Sequence, residues 1–134
     1  MKITADTNLL VRVAVRDDPE QAAIAAATLR EAEAIGVTLS ALCEFVWVLA
    51  RLYKRPTAEI ATGIRRLIDS AAVVTDRPAV EAGLAMLEAG GDFADGVIAF
   101  EGRRLGAPIF ASFDVEAVTL VRATGGEAIL LKAP

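Results

Sequence analysis

Short apolar segments alternate along the chain with longer amphipathic stretches, many of which begin at a capping residue and end at glycine or proline. Five of the short segments are predicted to be strands. They cover residues 2–5, 37–39, 72–75, 109–111 and 128–131. The longer stretches predict helices. They cover residues 19–34, 41–54, 57–70, 92–106 and 115–124, and a sixth begins at Asp76 and Pro78 and ends at Gly90 and Gly91. Strands that alternate with helices indicate an α/β fold with a parallel sheet covered on both faces, here one domain over residues 1–134.

Several helix ends are marked by residues with a known capping preference. Asp18 is expected to cap a helix whose first residue is Pro19, and Gly36 is expected to close it. Ser40 is expected to open the next helix, and Asp92 to cap the one that runs to Gly106. These boundaries place the acidic residues discussed below at strand ends and helix starts.

Composition indicates a chain that buries much of its surface. Hydrophobic residues make up 54% of the 134 residues, and the mean hydropathy is +0.47, which is high for a globular domain. No apolar run reaches the roughly 18 residues of a membrane span, and no signal peptide is expected. We therefore expect a cytoplasmic protein without a membrane role, part of whose apolar surface is covered by a partner.

Two residue types are informative because they are rare or missing. The chain has no histidine, which excludes histidine acid–base catalysis and Ser-His-Asp or Cys-His nucleophiles. The single cysteine, Cys43, excludes an intrachain disulfide and a structural zinc site. Cys43 lies in an apolar helical stretch, so we expect it to pack in the core.

Five acidic residues are spread over the whole length at strand ends and helix starts. They are Asp6, Glu44, Asp92, Asp95 and Asp114. Each has an ordinary explanation as a turn, a helix cap or a solvated side chain. Ligands in parallel sheets bind at the carboxyl ends of the strands, and clustered carboxylates repel one another unless a cation binds them. Convergence of the five acids would therefore predict a hard divalent cation with oxygen ligands.

The helix that carries Glu44 has an unusual outer face. Placed at 100° per residue, its core face is predicted to consist of Leu42, Phe45, Val46, Leu49, Leu52 and Tyr53. Glu44 then lies on the other side, near Trp47 and Val48. An apolar outer face favours a contact surface near Glu44.

Four short acidic motifs lie along the chain, at residues 3–10 (ITADTNLL), 42–49 (LCEFVWVL), 92–99 (DFADGVIA) and 112–114 (SFD). Together they resemble the motifs of PIN-domain ribonucleases, and most closely those of the VapC-type toxins of bacterial toxin–antitoxin pairs. Their order agrees with the family, although Thr-Phe-Asp is more usual than Ser112-Phe113-Asp114. The resemblance implies a three-layer α/β/α fold with a central parallel sheet of four to five strands.

The resemblance also implies a site and its chemistry. Asp6, Glu44, Asp95 and Asp114 are expected to be catalytic and to hold Mg²⁺ or Mn²⁺. Supporting residues are expected to be Thr7, Asn8, Asp92 and Ser112, where Asp92 is a ligand or only a helix cap, and Ser112 contacts Asp6 or a water. The expected reaction is hydrolysis of RNA to 5′-phosphate and 3′-hydroxyl ends, which requires no histidine. Expected partners are a second copy in a homodimer and a small VapB-like antitoxin whose tail occupies the active-site groove.

For contacts to RNA and to partner proteins, the sequence predicts sets of candidate residues. The net charge is −4, but setting the five acids aside leaves thirteen acidic against fourteen basic residues. Phosphate contacts are predicted among the basic residues, above all from Arg12, Arg51 and Arg103. Trp47, Val48 and the run Leu9–Val15 are candidates for the antitoxin surface, although the run also fits a core segment. A basic antitoxin side chain among the acids would block metal and RNA together.

Other functions that cluster acids at sheet ends fit less well. A phosphoacceptor receiver domain needs paired acids after the first strand and a lysine near Asp114, and a haloacid-dehalogenase-type phosphatase needs an acid at position 8, which is asparagine. Cleavage of DNA by a PIN-like nuclease, or a non-catalytic module that binds RNA or protein, remain alternatives.

Overall fold

A computed structural model describes every residue of the chain, which divides into two units of tertiary contact, Met1–Asp76 and Arg77–Pro134. The first unit contains, in chain order, β1 (Lys2–Thr4), α1 (Thr7–Val15), α2 (Pro19–Glu31), β2 (Ala34–Gly36), α3 (Leu39–Arg51), α4 (Thr57–Asp69) and β3 (Val73–Val74). The second unit contains α5 (Arg77–Glu88), α6 (Phe93–Arg104), β4 (Ile109–Ser112), α7 (Val115–Ala123) and β5 (Glu127–Leu130).

A three-stranded parallel sheet organises the first unit. Its strand order is β1-β2-β3, with Ile3 opposite Ile35 and Ile35 opposite Val73. Parallel neighbours need a crossover, and the helix pairs α1–α2 and α3–α4 supply the two crossovers. Ile35 in the central strand is only 2% exposed. The carboxyl end of β1 therefore leads to Asp6 from a strand anchored in the core.

The second strand lies earlier in the chain than its predicted position. The helix predicted over residues 19–34 ends at Glu31, and residues 34–36, not 37–39, form β2. The reason is pairing on both sides, because the Glu33 and Ile35 amides donate to Met1 and Ala72. Thr38, rather than Ser40, then caps α3 by accepting a hydrogen bond from the Ala41 amide (3.1 Å).

The core face predicted for α3 is largely confirmed. Leu42, Phe45, Val46 and Leu49 are buried, whereas Leu52 is 64% exposed because it is the C-cap beyond the last helical turn. Tyr53 is half-buried, and Trp47 on the opposite face is 55% exposed. Cys43 is also only half-buried. Glu44 therefore lies on an exposed side of α3 that also carries a large aromatic side chain.

Close helix packing and a two-stranded parallel sheet organise the second unit. β4 pairs with β5, with Phe110 opposite Ala128, and the core includes a buried cluster formed by Met86, Val118, Val121 and Ala128. Helices α5 and α6 approach each other at glycines. A Cβ at Gly83 would lie 2.6 Å from the Phe93 ring, and one at Gly96 would lie 2.5 Å from the Ala82 carbonyl oxygen. The start of α6, which carries Asp92 and Asp95, is thus held tightly against α5.

The predicted class is confirmed, with one difference in the sheet. The fold is α/β and all strand pairs are parallel. Five strands are present, but they form separate sheets of three and two strands. A single domain over residues 1–134 stays a prediction. None of the helices is both long enough and apolar enough to cross a membrane.

Candidate active site

Asp6 lies where β1 leads into α1, and its carboxylate has no structural role. Its backbone is extended (φ −71°, ψ 154°) and occupies the N-cap position, yet its side chain accepts no capping hydrogen bond. The carboxylate is also exposed. A helix cap therefore does not explain an acid at this position, and both oxygens are available to a ligand.

Helices α1 and α3 of the first unit pack against each other. Asp6 directly precedes α1, and Glu44 lies within α3. Thr7 is the one buried polar residue of the chain (6% exposed), and its hydroxyl donates to the Ala41 carbonyl across a long 3.5 Å contact. Ala41 lies one helical turn before Glu44 and Phe45 on α3. Glu44 itself is exposed and forms no ion pair. Thr7 therefore ties the start of α1 to the helix that holds Glu44, whereas Asn8 is exposed.

In the second unit, Asp92 and Asp114 are both helix caps. One Asp92 oxygen accepts from the Ala94 amide (3.1 Å), and one Asp114 oxygen accepts from the Ala117 amide (3.1 Å). Both residues are exposed. Each cap occupies only one carboxylate oxygen, and a carboxylate has a second. Capping and metal binding are therefore compatible at both positions.

The ionisation of Asp95 is affected by both of these capping acids. Burial raises the pKa of the half-buried Asp95 carboxyl, and the neighbouring charges of Asp92 and Asp114 raise it further. Such mutual repulsion is the expected consequence of bringing carboxylates together without a compensating charge. The second unit thus brings together three of the five predicted acids, at the starts of α6 and α7.

The family profile described as PIN domain matches residues 3–121. The chain belongs to the PIN-domain family. No curated protein matches it significantly. PIN domains are in general metal-dependent nucleases, so the chain has a nuclease-type fold. The matched range includes all five acids of the candidate site.

The acids of this PIN domain fit a divalent metal in their chemistry. All are oxygen donors, the ligands that Mg²⁺ and Mn²⁺ prefer. The unused oxygens of Asp92 and Asp114, together with the raised pKa of Asp95, mark a place where positive charge would relieve repulsion. The structure contains no group of three or more acidic, cysteine or histidine side chains already arranged to hold a metal. Metal ligation by the four predicted catalytic acids therefore stays a prediction.

Ser112, the last residue of β4, and Phe113, which follows it, add detail to the fourth motif of the PIN domain. The Ser112 hydroxyl accepts from the Asp114 amide (3.0 Å), a contact different from the predicted ones to Asp6 or a water. Between them, Phe113 is 70% exposed. Sequence reasoning treated Phe113 only as part of a motif, although an aromatic residue directly before a candidate metal ligand was a visible signal.

The three arginines predicted to contact phosphate, Arg12, Arg51 and Arg103, differ in their surroundings. Arg12 is held by an Asp17 oxygen (2.7 Å), and the Tyr53 hydroxyl donates to the other Asp17 oxygen (3.0 Å). Burial opposes ionisation of Asp17, but the hydrogen bonds from Tyr53 and Arg12 lower its pKa overall. A phosphate would therefore have to compete with Asp17 for Arg12.

At the end of α6, the guanidinium of Arg103 lies 5.7 Å from the centroid of the Phe100 ring, and that of Arg104 lies 4.5 Å from it. Arg51 in the last turn of α3 is exposed. Arg51 and Arg103 thus both lie at accessible helix ends. Phosphate binding by either residue stays a prediction.

A large cleft lies within the first unit of the PIN domain. Its volume is about 910 Å³, and its wall combines residues of α1, α2, α3 and α4. The apolar part of the wall includes Val13, Leu29, Phe45, Leu49, Leu67 and Val73. Arg16, Arg30 and Arg66 also line the cleft, and none of them forms an ion pair. The cleft thus combines an apolar wall with uncompensated positive charge. Of the predicted partner run Leu9–Val15, Leu10 and Val11 are buried. Leu10, Val13 and Ala14 line this cleft.

Proposed function

We propose that this PIN domain is a metal-dependent endoribonuclease of the VapC type, which hydrolyses RNA to 5′-phosphate and 3′-hydroxyl ends. Asp6, Glu44, Asp95 and Asp114 are the proposed ligands of Mg²⁺ or Mn²⁺. The observation that carries the proposal is the match of the PIN-domain profile to residues 3–121, a range that contains all four acids. In the second unit, burial raises the pKa of Asp95 and the charges of Asp92 and Asp114 raise it further, and a bound cation would offset that repulsion.

The carboxylates of Asp6 and Glu44 support the same proposal from the first unit. Neither accepts a helix-capping hydrogen bond or forms an ion pair. Both lie at motif positions inside the matched range. An acid without a structural role at such a position is a candidate ligand.

In the proposed site, four acids would hold the metal and neighbouring residues would position those acids. A divalent cation supplies positive charge that activates water and stabilises the charge that develops on the phosphoryl group. Asp92 and Asp114 keep one oxygen in a helix cap, which fixes the direction of the other oxygen. Ser112 holds the Asp114 backbone, and Thr7 ties α1 to α3. Histidine is absent, so attack by water rather than by the RNA 2′-hydroxyl is the expected route to products.

The test is cleavage of matched single-stranded RNA and DNA oligonucleotides with Mg²⁺ or Mn²⁺ present. Asp6→Asn and Asp95→Asn should each remove RNA cleavage while circular dichroism shows an intact fold. Glu116→Gln is the matched control, because Glu116 is an exposed acid in the first turn of α7 without a proposed role. Full activity of either asparagine variant would refute the proposed site. Cleavage of DNA alone would identify a DNA nuclease, and binding without cleavage by the wild type would identify a non-catalytic module.

The proposed partners are a second copy of the chain and a small antitoxin. Trp47 is 55% exposed, which supports an interface on α3. The first-unit cleft supports a partner segment with apolar and acidic side chains, because its wall is apolar and carries Arg30 and Arg66. A tightly bound antitoxin should abolish cleavage when added to the active protein. Cleavage that continues unchanged in the complex would contradict neutralisation at the active site.

A further inference from the structure

Phe113 is the most exposed aromatic residue of the chain. It is 70% exposed, whereas Trp47 is 55% exposed and the other four phenylalanines are buried or half-buried. A single exposed apolar side chain is common on protein surfaces and by itself indicates nothing. The place of Phe113 makes it informative, because it directly precedes Asp114, the candidate ligand that caps α7.

The backbone around Phe113 is fixed on both sides. Ser112 accepts from the Asp114 amide (3.0 Å), and Asp114 accepts from the Ala117 amide (3.1 Å). Phe110 and Ser112 on β4 are half-buried, whereas Ile109 and Ala111 are exposed, so the alternation directs position 113 outward. The Phe113 ring therefore projects into solvent from a turn that two hydrogen bonds hold in place.

Phe113 is also the direct neighbour of a candidate ligand. The structure has no cis peptide, so the Phe113 and Asp114 Cα atoms are about 3.8 Å apart. A nucleotide bound near Asp114 would therefore lie close to the residue that carries the exposed ring. A phenyl ring cannot hydrogen-bond a phosphate, but it offers a flat face on which a base can stack.

We propose that Phe113 is a base-stacking residue that positions single-stranded RNA for cleavage. The base of a nucleotide next to the scissile phosphate stacks on the exposed ring. This inference rests on the proposed function, because it assigns the substrate contact of that same site. Proteins recognise unpaired RNA largely by stacking splayed bases on aromatic side chains. Every base has such a face, so the contact fixes the position of the strand with little preference for its sequence.

The first test is the kinetics of RNA cleavage by Phe113→Ala, Phe113→Trp and a control. Loss of one stacked base costs about 1–3 kcal/mol, which corresponds to a rise in KM of about 5- to 150-fold. The kcat should stay within about twofold, since the acids are untouched, and Phe113→Trp should restore KM. Leu105→Ala is the control, because Leu105 is 86% exposed at the end of α6 and should change nothing. An unchanged KM in Phe113→Ala would overturn the inference while leaving the proposed function intact.

The second test reports stacking without catalysis. Trp47 is the only tryptophan, so the double variant Trp47→Phe, Phe113→Trp carries a single fluorescent reporter at the proposed position. Saturable quenching by a single-stranded RNA oligonucleotide supports stacking, even if the wild type proves not to cleave RNA and the proposed function fails. Absence of quenching in a variant that still cleaves RNA overturns the stacking inference. Loss of self-association in Phe113→Ala at unchanged KM would also overturn it, by assigning the ring to a protein interface.

Discussion

Gly96 follows Asp95 directly, and its replacement by alanine tests whether tight packing of α6 positions that acid. An added Cβ would lie 2.5 Å from the Ala82 carbonyl oxygen and 2.8 Å from the Met86 Cβ. The first of these atoms is backbone, so the clash cannot be relieved by a side-chain rotation. Helix α6 must move away from α5 to accept the methyl group. Such overpacking costs about 1–3 kcal/mol.

Gly63 provides a matched comparison. It also lies inside a helix, α4, but a Cβ added there would meet nothing within 4 Å. Alanine gains up to about 1 kcal/mol over glycine from helix propensity alone. Because both substitutions make the same chemical change within a helix, the difference between them largely isolates the steric cost at Gly96. We expect Gly63→Ala to be neutral or stabilising and Gly96→Ala to be less stable than it by about 1–3 kcal/mol.

Thermal unfolding followed by calorimetry or circular dichroism measures this difference. With an unfolding entropy of about 2.1 cal/mol/K per residue, each 1 kcal/mol shifts the Tm of this chain by about 3–4 °C. Gly96→Ala should thus melt about 3–11 °C below Gly63→Ala. Well below both transitions, Gly96→Ala should also lose RNA cleavage, because Asp95 moves with α6. Equal melting temperatures for the two variants, or full activity of Gly96→Ala, would refute the reasoning.

Three further predictions concern ionisation, metal and the Tyr53 hydrogen bond. Burial and the charges of Asp92 and Asp114 raise the pKa of Asp95. The folded protein therefore binds more protons than the unfolded chain between the ordinary and the raised pKa, and its stability falls as pH rises through that window. Asp95→Asn should thus gain stability relative to the wild type between pH 3 and 7 in metal-free buffer, and a pH-independent difference between their melting curves would contradict this. Mg²⁺ or Mn²⁺ at a hundred times its Kd should stabilise the wild type by about 2.7 kcal/mol, or about 10 °C in Tm, but not Asp95→Asn; equal shifts in both proteins would argue against Asp95 as a ligand. Tyr53→Phe should raise the pKa of Asp17 toward its ordinary value, because it removes a hydrogen bond of 3.0 Å to that carboxylate, and an Asp17 titration by NMR that stays unchanged would contradict it.

The fold could be predicted well from the sequence because local signals decide most of its elements. Asp18 with Pro19 marks the start of α2, and Asp92 marks the start of α6, both as expected. The second strand was misplaced because its pattern is short and ambiguous. Only pairing with β1 and β3, which is not local, determines that residues 34–36 form the strand. Likewise, Leu52 fits the helical period of α3 but lies beyond its last turn, so it is exposed.

The candidate site could be predicted only in part, for a similar reason. Motif order identifies the acids, but it does not say which of them already have a structural role. Asp6 fits a cap by sequence, yet its side chain caps nothing, whereas Asp114 both caps α7 and repels Asp95. Phe113 was missed because exposure depends on the tertiary fold and an apolar residue after a strand suggests packing. Residue type and spacing predict the chemistry, and the environment of each side chain decides its role.

The most direct test of the proposed nuclease is to map the ends that the purified wild-type protein produces from single-stranded RNA, with Mg²⁺ or Mn²⁺ and with a chelator. The account predicts cleavage only with metal, and fragments that carry a 5′-phosphate and a 3′-hydroxyl, because four carboxylates and no histidine are available for the chemistry. Cleavage that persists in the chelator, or fragments that end in a 2′,3′-cyclic phosphate, would contradict it.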